Sequence, residues 1–184
     1  MDHKTRVRVS KLMSLGLRHE PAALDLTLDD AGWVTVEALL AGLVAKGESI
    51  SRDDIVEVVR TSDKQRFALS ADGARIRANQ GHSVDVALGL APKEPPAELF
   101  HGTSDDVVPA IRQAGLLRMA RTHVHLSADE KTANIVAKRR AGATVLLRVD
   151  AAAMHKDGHA FFQAENGVWL TLTVPPHYVR FPAT

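Results

Sequence analysis

The sequence predicts an α+β protein of two lobes, on three observations. Apolar residues in the first half recur at helical spacing and then give way to a hairpin pattern. Three prolines fall within residues 91–97, a density that neither a helix nor a central strand tolerates. The remainder alternates short strand-like runs with turn signals. The expected division is therefore residues 1–90, a stiff linker at 91–97, and a β-rich lobe at 98–184.

In the first lobe Val9, Leu12, Met13 and Gly16 recur at spacings of three and four, which predicts an amphipathic helix over Thr5 to Leu17, stopped by Pro21. Leu24 to Leu28 reads as a short extended segment, followed by a turn at Asp29–Gly32 and by Trp33 to Val36. Thr35 is the expected N-cap, and Gly47 the stop, of a helix over Val36 to Lys46. Ser51 with Asp54 marks a capping box opening a further helix. Arg66 to Leu69 and Ala74 to Ala78 flank the turn signal Ala71-Asp72-Gly73 as a hairpin. Helices followed by a hairpin describe a winged-helix-like lobe. Its hairpin is rich in arginine (Arg66, Arg75, Arg77), with Lys64 before it and Gln80-Gly81-His82-Ser83 after it.

In the second lobe Glu98 to His101 reads as a strand leading into Gly102-Thr103-Ser104, with a helix of about ten residues ending near Gly115. Arg121 to Ser127 is the next expected strand. Ser127 with Glu130 then reads as a capping box opening a helix over Ala128 to Arg140. Thr144 to Asp150 and Ala160 to Gln163 are further strands. Glu165-Asn166-Gly167 is expected to form a type I′ hairpin turn into Val168 to Thr173. Tyr178 to Phe181 closes a set of about six strands.

Composition bounds the function. The 184 residues are 45% hydrophobic and contain no cysteine, which excludes disulfides, thiolate metal sites and a cysteine nucleophile. No apolar run approaches about 18 residues, so a soluble, cytoplasmic protein without a membrane partner or an obligate protein partner is expected. Residues 1–90 carry a formal charge of −1 and residues 91–184 one of +2. That is too little basic excess for sequence-blind binding of a polyanion. Any contact with nucleic acid must rest on a few placed arginines.

The stretch Arg121 to Ser127 is the most unusual in the chain. On a strand, Arg121, His123, His125 and Ser127 would share one face and Thr122, Val124 and Leu126 the other. Three readings fit such a row. It could be a solvated face, a metal site built on His-x-His, or an organic-anion site ending at a helix N-terminus. No third or fourth metal ligand has persuasive spacing among the nine histidines.

Taken together, Leu17-Arg18-His19, Asp63-Lys64-Gln65-Arg66-Phe67, Gln80-Gly81-His82-Ser83, Phe100-His101-Gly102-Thr103, Arg121 to Ser127 and Asn166-Gly167-Val168-Trp169-Leu170-Thr171 resemble, in order, the NAD-dependent RNA 2′-phosphotransferases. The resemblance spans nearly the whole chain. It implies a winged-helix lobe followed by an ADP-ribosyltransferase-like lobe, with NAD as co-substrate, 2′-phosphorylated RNA as partner and no metal. It implies two steps. The RNA 2′-phosphate attacks the nicotinamide ribose and releases nicotinamide; the ribose O2″ then attacks that phosphate, leaving 2′-hydroxyl RNA and ADP-ribose 1″,2″-cyclic phosphate.

The family's catalytic tetrad carries over onto Arg18, His19, Arg66 and Arg121, with His19 as a proton donor to the departing O2′. Guanidinium forks suit a phosphate dianion because they keep their charge and bind two oxygens at once. His101, Gly102, Thr103, His125, Ser127 and Val168 correspond to the NAD side; Val168 stands where many relatives carry glutamate, and Ala164 where a serine is expected. Lys64 and His82 are candidates for the RNA side. The alternative is a winged-helix nucleic-acid-binding regulator without catalysis.

Overall fold

The computed structural model describes residues 1–62, 64–138 and 142–182. Contacts divide the chain into two units, Met1–Gly89 and Leu90–Thr184, each with its own apolar core.

The first unit opens with α1 (His3–Arg18), whose N-cap Asp2 accepts from the Thr5 N–H. Val9, Met13 and Leu17 are fully buried along one side. The chain then makes a 3₁₀ turn over Pro21–Leu24, and the segment expected to be extended from Leu24 to Leu28 pairs in no strand. Asp25 takes a left-handed φ of 53° and the Leu26 N–H returns to the Pro21 carbonyl, so this stretch folds back on itself and buries Leu24 and Leu26. A Cβ on Gly42 would stand 2.2 Å from the Leu24 carbonyl oxygen, so only glycine admits the turn this close to the next helix.

That helix, α2 (Val36–Ala45), is capped by Thr35, which accepts from the Ala38 N–H. In α3 (Arg52–Arg60) the Ser51–Asp54 capping box forms in both directions. Strands β1 (Val34–Thr35), β2 (Phe67–Leu69) and β3 (Arg75–Ala78) make an antiparallel sheet in the order β1-β3-β2, with Val34 opposite Ile76 and Phe67 opposite Ala78. The hairpin arginines are engaged locally. Arg75 pairs with Asp29 at 3.6 Å, and Arg77 lies 4.7 Å over the Trp33 ring and donates to the Leu88 carbonyl.

The second unit contains, in chain order, β4 (Glu98–Ser104), α4 (Val108–Ala114), β5 (Leu116–Leu117), β6 (Val124–Leu126), α5 (Glu130–Ala137), β7 (Thr144–Asp150), α6 (Ala151–Lys156), β8 (Phe162–Gln163), β9 (Trp169–Thr171), β10 (Thr173–Val174) and β11 (Val179–Arg180). Strands β11-β7-β4 form one antiparallel sheet, β6-β9-β8 a second, and β10 with β5 a separate pair. Among the described residues one isolated backbone bridge joins the first two sheets. Phe100 and Ser127 exchange both backbone hydrogen bonds, at 2.9 and 2.8 Å.

Four expectations are corrected here. Gly102-Thr103-Ser104 lies within β4, not after it. The strand expected from Arg121 begins only at Val124. Helix α5 is capped by Asp129, which accepts from the Thr132 N–H; Ser127 cannot cap it because its backbone is committed to Phe100. The end of the expected helix, Arg139 and Arg140, lies outside the described residues, as does Asp63. The Asn166-Gly167 turn is not type I′: Gly167 alone has a positive φ, and the loop closes through the Gly167 N–H to the Ala164 carbonyl. A type I turn followed by a left-handed glycine serves this slightly longer hairpin.

The proline-rich segment packs on the second unit. Pro95 is buried, and the Lys93 N–H donates to the Phe161 carbonyl at 2.8 Å. Among the described residues no helix is long and apolar enough to cross a membrane.

Candidate active site

The expected site residues form two clusters, one in each unit. In the first unit, Arg18 is the last residue of α1 and His19 its C-cap. The loop after β3 returns to this helix end, where the Ser83 N–H donates to the Arg18 carbonyl at 2.8 Å and the Ser83 hydroxyl lies 2.9 Å from His19 Nδ1. Gly81 has a φ of 88°, a backbone that favours glycine, and passes the Arg18 guanidinium at ordinary contact distance, Nη1 lying 3.7 Å from where a Cβ would stand. The guanidinium also donates through Nη2 to the Arg66 carbonyl at 3.2 Å and stands 5.8 Å from the Phe67 ring centre. Asn79 fixes the same carbonyl through its N–H (2.9 Å) and holds Gln65, which has a φ of 39°, through Nδ2 (2.6 Å). Arg18 is thus tied to the backbone of Arg66 and His19 to Ser83. Ser83 was not among the expected site residues; its position beside His82 in the same tetrapeptide was the available signal.

His82 corrects its assignment to the RNA side. It is 0% exposed, so no RNA atom can touch it. Among the described residues neither ring nitrogen has a hydrogen-bond partner. Burial, helped by the positive charges of Arg18, His19 and Arg77, lowers its pKa to about 4. It is a neutral support near Arg18 and His19. Lys64 is exposed and, with Arg66, lines a groove on this unit.

In the second unit a cleft of about 490 Å³ is lined by His101, Thr103, Arg121, His123 and His125 on its polar side. Val107, Ile111 and Leu116 contribute apolar wall. This volume lies in the range of small-molecule sites. His101 Nδ1 is 3.1 Å from the His125 carbonyl, and Arg121 Nη1 is 3.2 Å from His125 Nδ1. A guanidinium only donates, so His125 Nδ1 must accept and the neutral ring carries its proton on Nε2. Arg121 precedes the strand, in a bend where its N–H donates to the Arg118 carbonyl and its own carbonyl accepts from Arg118 Nη1. His123 also lies before the strand, edge-on to Phe162 at 5.8 Å, and its pKa is lowered by burial and then by Arg118. The expected row of alternating side chains is therefore not one strand face, yet Arg121, His123 and His125 still line one cleft.

Gly102, Ser127 and Val168 do not line it. The register of β6 on β9, with Leu126 opposite Trp169, brings Ser127 across from Val168 one step further on. Gly102 has a packing role that sequence reasoning missed. A Cβ there would come within 2.0 Å of the Ala133 carbonyl oxygen on α5, so glycine is required by the helix. Its backbone has a separate use. Hydrogen-bonding direction alternates along an antiparallel strand, and Phe100 points toward Ser127, so Gly102, two residues on, also directs its N–H and C=O away from β7. Among the described residues Phe100–Ser127 is the isolated backbone bridge at this junction, and the side chain of His101 takes the His125 carbonyl. The two sheets split there. Among the described residues no group of three or more His, Asp or Glu side chains is arranged to hold a metal ion.

A family model described as "RNA 2'-phosphotransferase, Tpt1 / KptA family" matches residues 4–173. Three relatives bear the name "Probable RNA 2'-phosphotransferase". That of Rhodopirellula baltica is 51% identical over 180 residues, covering 97% of both chains. That of Rhizobium leguminosarum bv. trifolii is 53% identical, covering 96% of this chain and 94% of its own. That of Pseudomonas aeruginosa is 52% identical, covering 98% and 99%.

Proposed function

The chain belongs to the RNA 2′-phosphotransferase family, and on that premise we propose that it transfers an internal RNA 2′-phosphate to NAD⁺. A phosphate oxygen bonds to the ribose C1″ as nicotinamide leaves. The ribose O2″ then bonds to phosphorus as the RNA O2′ leaves, taking a proton. The products are nicotinamide, 2′-hydroxyl RNA and ADP-ribose 1″,2″-cyclic phosphate. In this reading the first unit is winged-helix-like and the second ADP-ribosyltransferase-like, and the protein acts in the cytoplasm.

The observation that carries the proposal is the second-unit cleft. It sets the Arg121 guanidinium beside His101 and His125, joining a phosphate-binding fork to a cavity of small-ligand size. NAD⁺ suits such a cleft, whose apolar wall fits a base and whose imidazoles fit ribose hydroxyls. The backbone N–H and C=O of Gly102, directed into the split between sheets, match the donor and acceptor of a carboxamide. Arg18, Arg66 and Arg121 stabilise the charge that grows on the phosphoryl oxygens. His19, oriented through Nδ1 by Ser83, gives a proton to the departing O2′. A phosphate nucleophile is already anionic and needs no base, which agrees with valine at position 168.

Incubation with NAD⁺ and an oligonucleotide bearing one internal 2′-phosphate tests this, with products identified by mass. Dephosphorylated RNA together with the cyclic phosphate is expected; intact RNA and intact NAD⁺ would reject it. Exhaustive EDTA should leave turnover unchanged, whereas abolition by EDTA and rescue by zinc would show a metal enzyme. A non-catalytic regulator draws no support from the relatives, and Arg75 and Arg77 of the hairpin are held by Asp29 and Trp33.

A further inference from the structure

A second cavity, a groove of about 300 Å³, lies entirely within the first unit. One wall is a stripe of α1, His3, Arg6, Val7, Ser10, Lys11 and Ser14, which recur at helical steps of three and four; Arg18 extends the same stripe by one further step of four. The other wall is the end of α3 and the segment after it, Thr61, Ser62, Lys64 and Arg66. At about 1.5 Å per residue the stripe from His3 to Ser14 is about 16 Å long. One end reaches Arg66, whose carbonyl Arg18 holds.

The lining has a definite chemistry. Arg6, Lys11, Lys64 and Arg66 are cationic, His3 can become so, Ser10, Ser14 and Thr61 carry hydroxyls, and among the described lining residues there is no carboxylate and no Phe, Tyr or Trp. Arg6 has Glu57 4.0 Å away, and Glu57 is also paired with the N-terminal amine. A concave strip of cations and hydroxyls suits a chain of phosphodiesters. Without Phe, Tyr or Trp platforms, base stacking adds little and reading of bases is weak. The near-neutral charge of the whole unit is thus compatible with a local anion track.

We propose that this groove binds the single-stranded RNA backbone flanking the 2′-phosphate, delivering it to Arg18 and Arg66 with little regard to base sequence. The inference rests on the phosphotransfer reading for what lies at the inner end, but the groove can be tested without turnover.

The test compares the full chain with Arg6→Ala/Lys11→Ala. Both positions lie on the surface of α1, alanine favours helix, and neither belongs to the catalytic set. Fluorescence anisotropy with a labelled single-stranded RNA, at a series of salt concentrations, reads the backbone contacts directly. Losing both cations should weaken binding about tenfold or more and reduce the slope of log affinity against log salt by about 1.4, at about 0.7 per phosphate contact. In turnover, the parent should show a lower KM for a longer 2′-phosphorylated oligonucleotide than for a 2′-phosphorylated dinucleotide, and the variant should lose that difference. The dinucleotide's own kinetics and the KM for NAD⁺ should stay unchanged. An unaltered salt slope and an unaltered length effect would overturn the groove, as would tighter binding of duplex DNA than of RNA. A changed slope in a protein whose parent turns over no 2′-phosphorylated RNA would keep the groove and reject the phosphotransfer.

Discussion

At the scale of single residues, His82 and Arg121 make separate demands. His82 is sealed from solvent with a pKa near 4 against 6.5 for a free imidazole. Between those values the unfolded chain binds more proton than the folded one, so stability falls as pH drops from 6.5 to 4 and is unaffected by this group above 6.5. The loss amounts to about 3 kcal/mol. Urea unfolding across that window should show a steeper pH dependence for the parent than for His82→Gln; parallel curves would mean that the imidazole is not held neutral. On the proposal that Arg121 holds the phosphoryl group, its fork matters beyond its charge. Arg121→Lys keeps the charge but loses bidentate contact and should lower kcat for 2′-phosphate transfer about a hundredfold, with little change in KM for NAD⁺. Parental kcat would show that a point charge suffices. Only the row from Arg121 to Ser127 stands out by residue type; Arg18, His19 and Arg66 are assigned through the family resemblance. The burial of His82 was not readable, because it depends on Gly32 and Val86, which lie near one another only after folding.

Among the elements, those with local instructions were readable. The Thr35 cap and the Ser51–Asp54 box lie within four residues of what they control, and both form as expected. Helix α5 shows the limit. Ser127-x-x-Glu130 and Asp129-x-x-Thr132 are overlapping start signals, and the choice between them is made by Phe100, which takes both backbone groups of Ser127. Gly102 shows it again. A glycine at the end of a presumed strand reads as room for a ligand, whereas the space is filled by the Ala133 carbonyl. Gly102→Ala should therefore push α5 off β4 and destabilise the fold by about 1–3 kcal/mol, measurable by denaturant midpoint. A variant as stable as the parent would put the purpose of this glycine back with the ligand.

For the molecule as a whole, the near balance of charge conceals its distribution. A unit with a formal charge of −1 still holds a groove whose described lining residues include cations and no carboxylate, an arrangement that composition cannot reveal. The two cores are separate; of the residues proposed to act on the phosphoryl group, Arg18, His19 and Arg66 belong to the first unit and Arg121 to the second. Removing a guanidinium from either unit should leave the first step able to proceed and block the second. The measurement that tests this most directly is a rapid-quench time course with 2′-phosphorylated RNA and NAD⁺, comparing Arg66→Ala with Arg121→Ala by product mass. Both variants should release nicotinamide and accumulate the same ADP-ribosylated RNA phosphate. Turnover at the parental rate by either one, or no consumption of NAD⁺ by the parent, would contradict the account.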